Sequence, residues 1–281
     1  MVPTTAYADI GPKPSVTIEF QGFEKEQYYA TLLSDTTSSG PHEVLHSIPS
    51  NQRYHPGDED YAIWQKFVSY KDKDGFYFLQ FFGNCTDTSK FIWGYHPPTR
   101  FKILLYFPKQ DCFIESKDIY EQYAFHSYYK VTVNDSKELS VEQINEIKAT
   151  KDYDYTWELI SLFARMIATI AIEVLIALFF GYRTKKDLII IIIVNLITQG
   201  VLNILLNMIH YKQGNFMFTF DYFWMEALVF IIEAGLYSVL LHNPKAEETE
   251  QRRHASLYAL TANTASFFVG LTVAHFVPGI F

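Results

Sequence analysis

The sequence predicts an α+β membrane protein, with an N-terminal antiparallel β-sandwich-like extracytoplasmic domain followed by a four-helix transmembrane bundle. Three observations predict it. Polarity divides sharply near Tyr155: residues 1–157 hold 22 acidic and 15 basic side chains, a net of −7 out of the chain's −8, whereas residues 158–281 are mostly apolar. Short segments of alternating polarity, separated by Pro, Gly, Ser and Thr, fill the first half, which is the pattern of strands and turns. The second half holds runs close to the roughly 20 apolar residues that cross a bilayer's hydrocarbon core.

Taken in order, Ala6-Tyr7-Ala8 ahead of Asp9 has the small-x-small pattern of a signal-peptidase site, so residues 1–8 read as the remnant of a signal peptide and 9–139 as the outer domain. Residues 15–20 alternate, with Val16, Ile18 and Phe20 on one face, and 27–33 is the expected partner strand. A loop rich in Ser, Thr, Pro and Gly covers 35–57. Residues 58–70 form the expected helix: Tyr61, Trp64, Phe67 and Val68 share a face, and Asp58, Glu59 and Asp60 stand where the helix dipole favours acids. Strands follow at 76–82, 91–95, 101–107 and 119–133, with a shorter one at 112–116. Such spacing is immunoglobulin-like in general form only.

Aromatics make up 17% of the chain, and most alternate onto one face, as core residues do; a sugar-binding platform is the other reading. Cys85 and Cys112 both fall in the outer domain, which suits one disulfide in an oxidising compartment, with buried thiols as the alternative. Ser140-Val-Glu-Gln143 is a capping box that opens a helix over 141–148, within a linker of residues 140–157. Its end, with Tyr153, Tyr155 and Trp157, is an interfacial aromatic belt.

Transmembrane helices are expected at about 158–180, 188–210, 222–241 and 256–277, the last diluted by Asn263, Gly270 and Pro278. Arg183, Lys185 and Lys186 occupy the first connection and Lys245, Arg252 and Arg253 the third, against Lys212 alone in the second. The positive-inside rule then places the N-terminal domain and the C-terminus outside a cell membrane crossed several times.

The second of these runs, 187–210, is unusual in carrying Asn195, Thr198, Gln199, Asn203 and Asn207. Polar groups at membrane depth face protein, water or ligand, so this stripe marks the bundle interior. Rise per residue sorts the buried polar groups into an outer layer of Arg165, Glu226 and Asn203 and an inner layer of Glu173, Glu233, Asn195 and Asn263, with Gln199 between. Arg165, Thr169 and Glu173, like Asn195, Gln199 and Asn203, recur at four residues, and Glu226 and Glu233 stand seven apart, so each set shares a face. The outer layer predicts an Arg165–Glu226 ion pair, or else Arg165 snorkelling outward beside Trp157. Two carboxyls without a base in the inner layer call for a shared proton or a bound cation, unless each donates to Asn or Thr and fixes packing.

Complete catalytic motifs are missing from the sequence: Gly-x-Ser-x-Gly, His-Glu-x-x-His, a Walker loop and Gly-x-Gly-x-x-Gly do not occur, and nothing calls for a cofactor. The string Glu247-Glu248-Thr-Glu-Gln-Arg252 matches an intramembrane-protease pattern but falls in a charged loop with no partner histidine helix. An acidic outer domain also argues against nucleic acid. The opening Ala-Tyr-Ala before DIGPKPSVTIEF, the run VNLITQGVLN and the spaced acids of EALVFIIEAGLY together resemble a group of uncharacterised integral membrane proteins of Gram-positive bacteria. The resemblance implies a signal peptide, a β-rich outer domain and about four helices, and it implies no activity. The membrane lipid bilayer is the required partner. Binding of an extracellular ligand or membrane-protein partner by the outer domain is the leading expectation, and proton or cation handling through Glu173 and Glu233 is the alternative.

Overall fold

The computed structural model describes residues 11–23, 26–46, 51–132, 146–241 and 248–276. The chain divides into two compact units, Met1–Tyr153 and Asp154–Phe281. The expected signal-peptide remnant and the Ser140 capping box lie outside the described residues.

The first unit is β-rich. A mixed sheet has the order β12 (Ala149–Lys151), β11 (His126–Thr132), β1 (Ser15–Gln21), β7 (Lys90–Trp93). An antiparallel sheet has the order β10 (Tyr120–Glu121), β8 (Arg100–Phe107), β2 (Tyr29–Ser34), β5 (Tyr77–Phe78), with β6 (Gly83–Asn84) on β2 and β9 (Cys112–Glu115) on β8. A small hairpin joins β3 (Ser38–Ser39) to β4 (His42–Glu43). Strand β1 follows its alternation, burying Val16, Ile18 and Phe20. Its neighbours differ from those the sequence predicts. Strand β2 pairs with β8 rather than β1, and β1 pairs in parallel with β11, Ser15 opposite His126 through Gln21 opposite Thr132.

Strand β2 has two occupied faces, which is why it is buried along its whole length. Ala30 and Leu32 join Val16, Ile18, Trp93, Ile103 and Val131 in a core drawn from both sheets. Tyr29 and Leu33 point the other way, to Trp64 and Phe67 of α1 (Tyr61–Ser69). Aromatic rings fill both layers, with Phe67 5.2 Å from Phe78 and Tyr28 5.7 Å from Phe107.

The expected strand 119–133 is two strands, because Ser127 Oγ accepts from the backbone N–H groups of Tyr123 and Ala124, each at 3.1 Å, and turns the chain between β10 and β11. Within the predicted helix 141–148, the described end is not helical: Ile147 bridges Ser116 and leads into β12. Cys85 and Cys112 are both thiols, so the expected disulfide is corrected. Cys85 is part of the apolar core with no exposure, and burial pushes its thiol up to about 12, away from thiolate chemistry.

The second unit is helical: α2 (Thr156–Phe179), α3 (Lys185–Gln213), α4 (Asn215–Leu240) and α5 (Glu248–Phe276). Three stretches, Thr156–Phe179, Lys185–Gln213 and Thr219–Leu240, are long and apolar enough to cross a membrane. Local chemistry sets their ends. Helix α2 closes in a Schellman motif: Tyr182 N–H donates to Ala177 O at 2.9 Å and Gly181 N–H to Leu178 O at 3.3 Å, with Gly181 at φ +88°. Thr184 caps α3 by accepting from Asp187 N–H at 3.1 Å. Gly214, at φ +79°, makes the sharp turn into α4. Helix α5 begins inside the expected charged loop, so Glu248 to Arg252 are helical.

Polarity in this unit is inverted relative to a water-soluble bundle. Ile167, Phe179, Ile197 and Val239 are exposed, whereas Arg165, Glu173, Asn195 and Glu233 are buried. Lipid outside and polar contacts inside account for both halves of that pattern.

Candidate functional site

Helices α2 to α5 pack in a closed cycle, α2 on α3, α3 on α4, α4 on α5 and α5 on α2, which turns the polar faces towards one another. In the inner layer Asn195 Nδ2 donates to Glu173 Oε2 at 2.5 Å and lies 2.8 Å from Tyr237 Oη. Glu233 takes different partners: Thr198 Oγ1 donates to its Oε1 at 2.5 Å, and Asn263 Nδ2 donates to its Oε2 at 2.8 Å. The two carboxyls therefore occupy neighbouring halves of one network, close enough to interact electrostatically. Glu173, Glu233, Asn195 and Tyr237 have no exposure at all. Tyr258 closes this layer, its hydroxyl donating to the backbone carbonyl of Glu173 at 3.3 Å.

The outer layer borders a small cleft of about 80 Å³ whose walls come from all four helices. Arg165, Gln199, Asn203, Tyr222 and Glu226 line it, but Glu173 and Glu233 do not. Arg165 Nη2 donates to Asn207 Oδ1 at 3.3 Å, and Arg165 and Glu226 interact electrostatically. Glu226 also hydrogen-bonds Tyr222 and Gln199. Asn203 turns its amide back onto its own helix, Nδ2 to Gln199 O at 2.8 Å.

The two ends of the unit are polar in different ways. Glu158 at the start of α2 lies 3.4 Å from His210 at the end of α3, beside the stacked rings of Tyr155 and Tyr211. At the other end, Tyr182 Oη is 3.1 Å from His254 Nδ1, near Lys185, Lys186, Arg252 and Arg253 in sequence.

Sequence reasoning missed Tyr237, Tyr258 and Tyr222, because a tyrosine in an apolar helix reads as core until its hydroxyl finds a partner. It also missed a buried ion cluster in the β-rich unit. Lys102, in the apolar run of β8, has no exposure; its Nζ is 2.6 Å from Asp72 Oδ1 and 2.5 Å from Asp74 Oδ2. Burial works against its charge, but the bonds to Asp72 and Asp74 outweigh it and hold the ammonium above the usual lysine range. Asp72 is held below the usual carboxylate range although burial opposes this: Lys102 and the N–H groups of Phe76 and Asp74 bond the charged form. Tyr70 donates its hydroxyl to Glu115, 3.7 Å from the same Nζ. The cluster fixes one wall of a groove of about 360 Å³ lined by Val44, Leu45, Val68, Tyr70, Asp72, Phe76, Tyr77 and Phe78, among others.

Among the described residues no group of three or more His, Cys, Asp or Glu side chains is arranged to hold a metal ion. No protein-family model matches the chain, and no curated protein or solved structure matches it.

Proposed function

We propose that the chain is a cell-surface integral membrane protein whose two sheets form a sandwich-like extracytoplasmic domain that binds a ligand or protein partner. Helices α2 to α5 are then a four-helix transmembrane bundle that anchors this domain. The basic residues at 183–186 and 252–253 face the cytoplasm, and both termini lie outside. The groove beside Lys102 carries the binding reading. Its size falls in the ~300–1,000 Å³ range of ligand pockets; aromatic rings wall it, and the ion cluster holds one side rigid. A photo-cross-linking residue at Tyr77, on the groove and 42% exposed, tests it in native membranes against one at Ile92, exposed on β7. A product formed from position 77 alone supports the reading; identical products from both positions count against it.

A second reading is favoured by the two buried carboxyls of the inner layer. Glu173 and Glu233 would pass protons or cations, with the outer cleft as the entrance. Proton and cation flux into vesicles containing the purified chain, compared between the native chain and Glu173→Gln, tests that reading, and equal flux in both would remove it.

A further inference from the structure

Three buried oxygens of the inner layer stand out. Among the described residues none donates a hydrogen bond to Glu173 Oε1, Asn195 Oδ1 or Asn263 Oδ1, although these side chains are 0, 0 and 6% exposed. A buried acceptor without a donor costs about as much as a lost hydrogen bond, and such groups are rare in folded proteins. The orientation of the two amides is not arbitrary. Each gives its Nδ2 to a carboxylate, Asn195 to Glu173 and Asn263 to Glu233, so each carbonyl oxygen is the end left over. Turning either amide over would set its oxygen against a carboxylate oxygen.

The three oxygens come from α2, α3 and α5, and a chain of contacts ties them into one layer. Asn195 and Thr198 stand three residues apart on α3; Asn195 holds Glu173, and Thr198 holds Glu233, which in turn holds Asn263. What remains is a buried set of oxygen acceptors, one carboxylate and two neutral amides, with a second carboxylate beside them. The Tyr237 hydroxyl also hydrogen-bonds the Glu173 carboxyl, and a single proton on Glu173 would add one donor more and still leave an amide oxygen unserved. A cation serves several oxygens at once, and an oxygen-only set suits a hard ion rather than a soft one. Neutral oxygens outnumber the charged one among the three, which favours a single charge over two.

We infer that the inner layer is a binding site for a dehydrated monovalent cation, sodium, with Glu173 Oε1, Asn195 Oδ1 and Asn263 Oδ1 as its ligands and Glu233 as a neighbouring counter-charge. The inference rests on the membrane-spanning reading, which keeps bulk water from the layer, and not on transport: a chain that holds sodium without passing it satisfies this proposal and fails the flux test.

Radioactive sodium binding to the purified full chain in detergent, read by scintillation proximity, tests it. The expected result is saturable binding, competed by unlabelled sodium, with affinity weakened roughly tenfold or more in Glu173→Gln and in Asn263→Ala. Thr261→Ala, on the exposed face of α5, should bind like the native chain. The native chain alone decides the main point, so misfolding of a variant does not protect the proposal. Absence of saturable sodium binding by the native chain would overturn it. So would binding undiminished in both folded variants, or calcium binding that sodium does not displace. Resistance of the chain to alkaline extraction from membranes is measured alongside, so that failure of the membrane reading is distinguished from failure of the site.

Discussion

Replacing Lys102 by Met removes a cation whose contacts converge on Asp72, Asp74 and Glu115, the last of which keeps Lys73 at 3.7 Å. Breaking a buried pair costs about 3–5 kcal/mol because the surviving charge is left uncompensated. Asp72 has no side-chain exposure, but the N–H groups of Asp74 and Phe76 bond its Oδ2 at 2.9 and 3.0 Å and continue to do so after the change. Asp74 is half exposed and can return to water. The lower end, about 3 kcal/mol, is therefore expected. For a unit of roughly 150 residues that is a fall of about 6–12 °C in midpoint. Cys85 provides a local readout in the intact chain, because it lies in the core of the same unit and becomes reactive to maleimide only when that core opens. Labelling against temperature thus reports the β-rich unit without the helices. The double variant Lys102→Met with Asp72→Asn should recover part of the loss. A midpoint for Lys102→Met within about 2 °C of the native chain would refute the claim that this cluster holds the groove wall.

The pH dependence of the β-rich unit follows from the same groups. Asp72 is depressed, so its contribution is present above the unfolded value of about 3.9 and is lost as pH falls through its lower folded value; Lys102 is raised, so its contribution is present below about 10.4 and is lost as pH rises through its higher folded value. Between those limits the acid-side slope should come from His42, whose imidazole burial lowers to about 4: stability declines as pH falls below about 6.5, and His42→Gln flattens the slope in a denaturation series. Non-reducing electrophoresis should show no intramolecular disulfide, and native labelling should modify Cys112 while sparing Cys85. Thr184→Ala removes the cap of α3 and should cost about 1 kcal/mol, seen as faster hydrogen exchange at Asp187.

Several elements were legible because one periodicity decided them. The alternation of β1 and the apolar faces of α1 to α4 need no knowledge of distant residues. Which strands pair is a different matter: β1 meets β11 in parallel across more than a hundred residues, and no local signal in either strand specifies that partner. Lys102 was illegible for a related reason. A lysine inside RFKILLYF looks like an edge residue until the Asp72 and Asp74 turn, nearly thirty residues earlier, closes over it. The cysteines misled because pairing was argued from compartment, whereas Cys85 belongs to the apolar core. In the helical unit, depth along the helices assigned Glu173, Asn195, Glu233 and Asn263 to one layer, but which amide serves which carboxyl depends on helix rotation, and sequence spacing does not set it.

The proposed exposure of the groove outside the cell, and of the cleft as an entrance, depends on which ends of the helices face out. Single cysteines at Lys90, Lys185, Lys212 and Glu250, in a chain carrying Cys112→Ser, report this directly through a membrane-impermeant maleimide. Positions 90 and 212 should react in intact cells, and 185 and 250 only after permeabilisation; the reverse pattern, or labelling of all four from one side, would contradict a bundle that holds its β-rich unit outside.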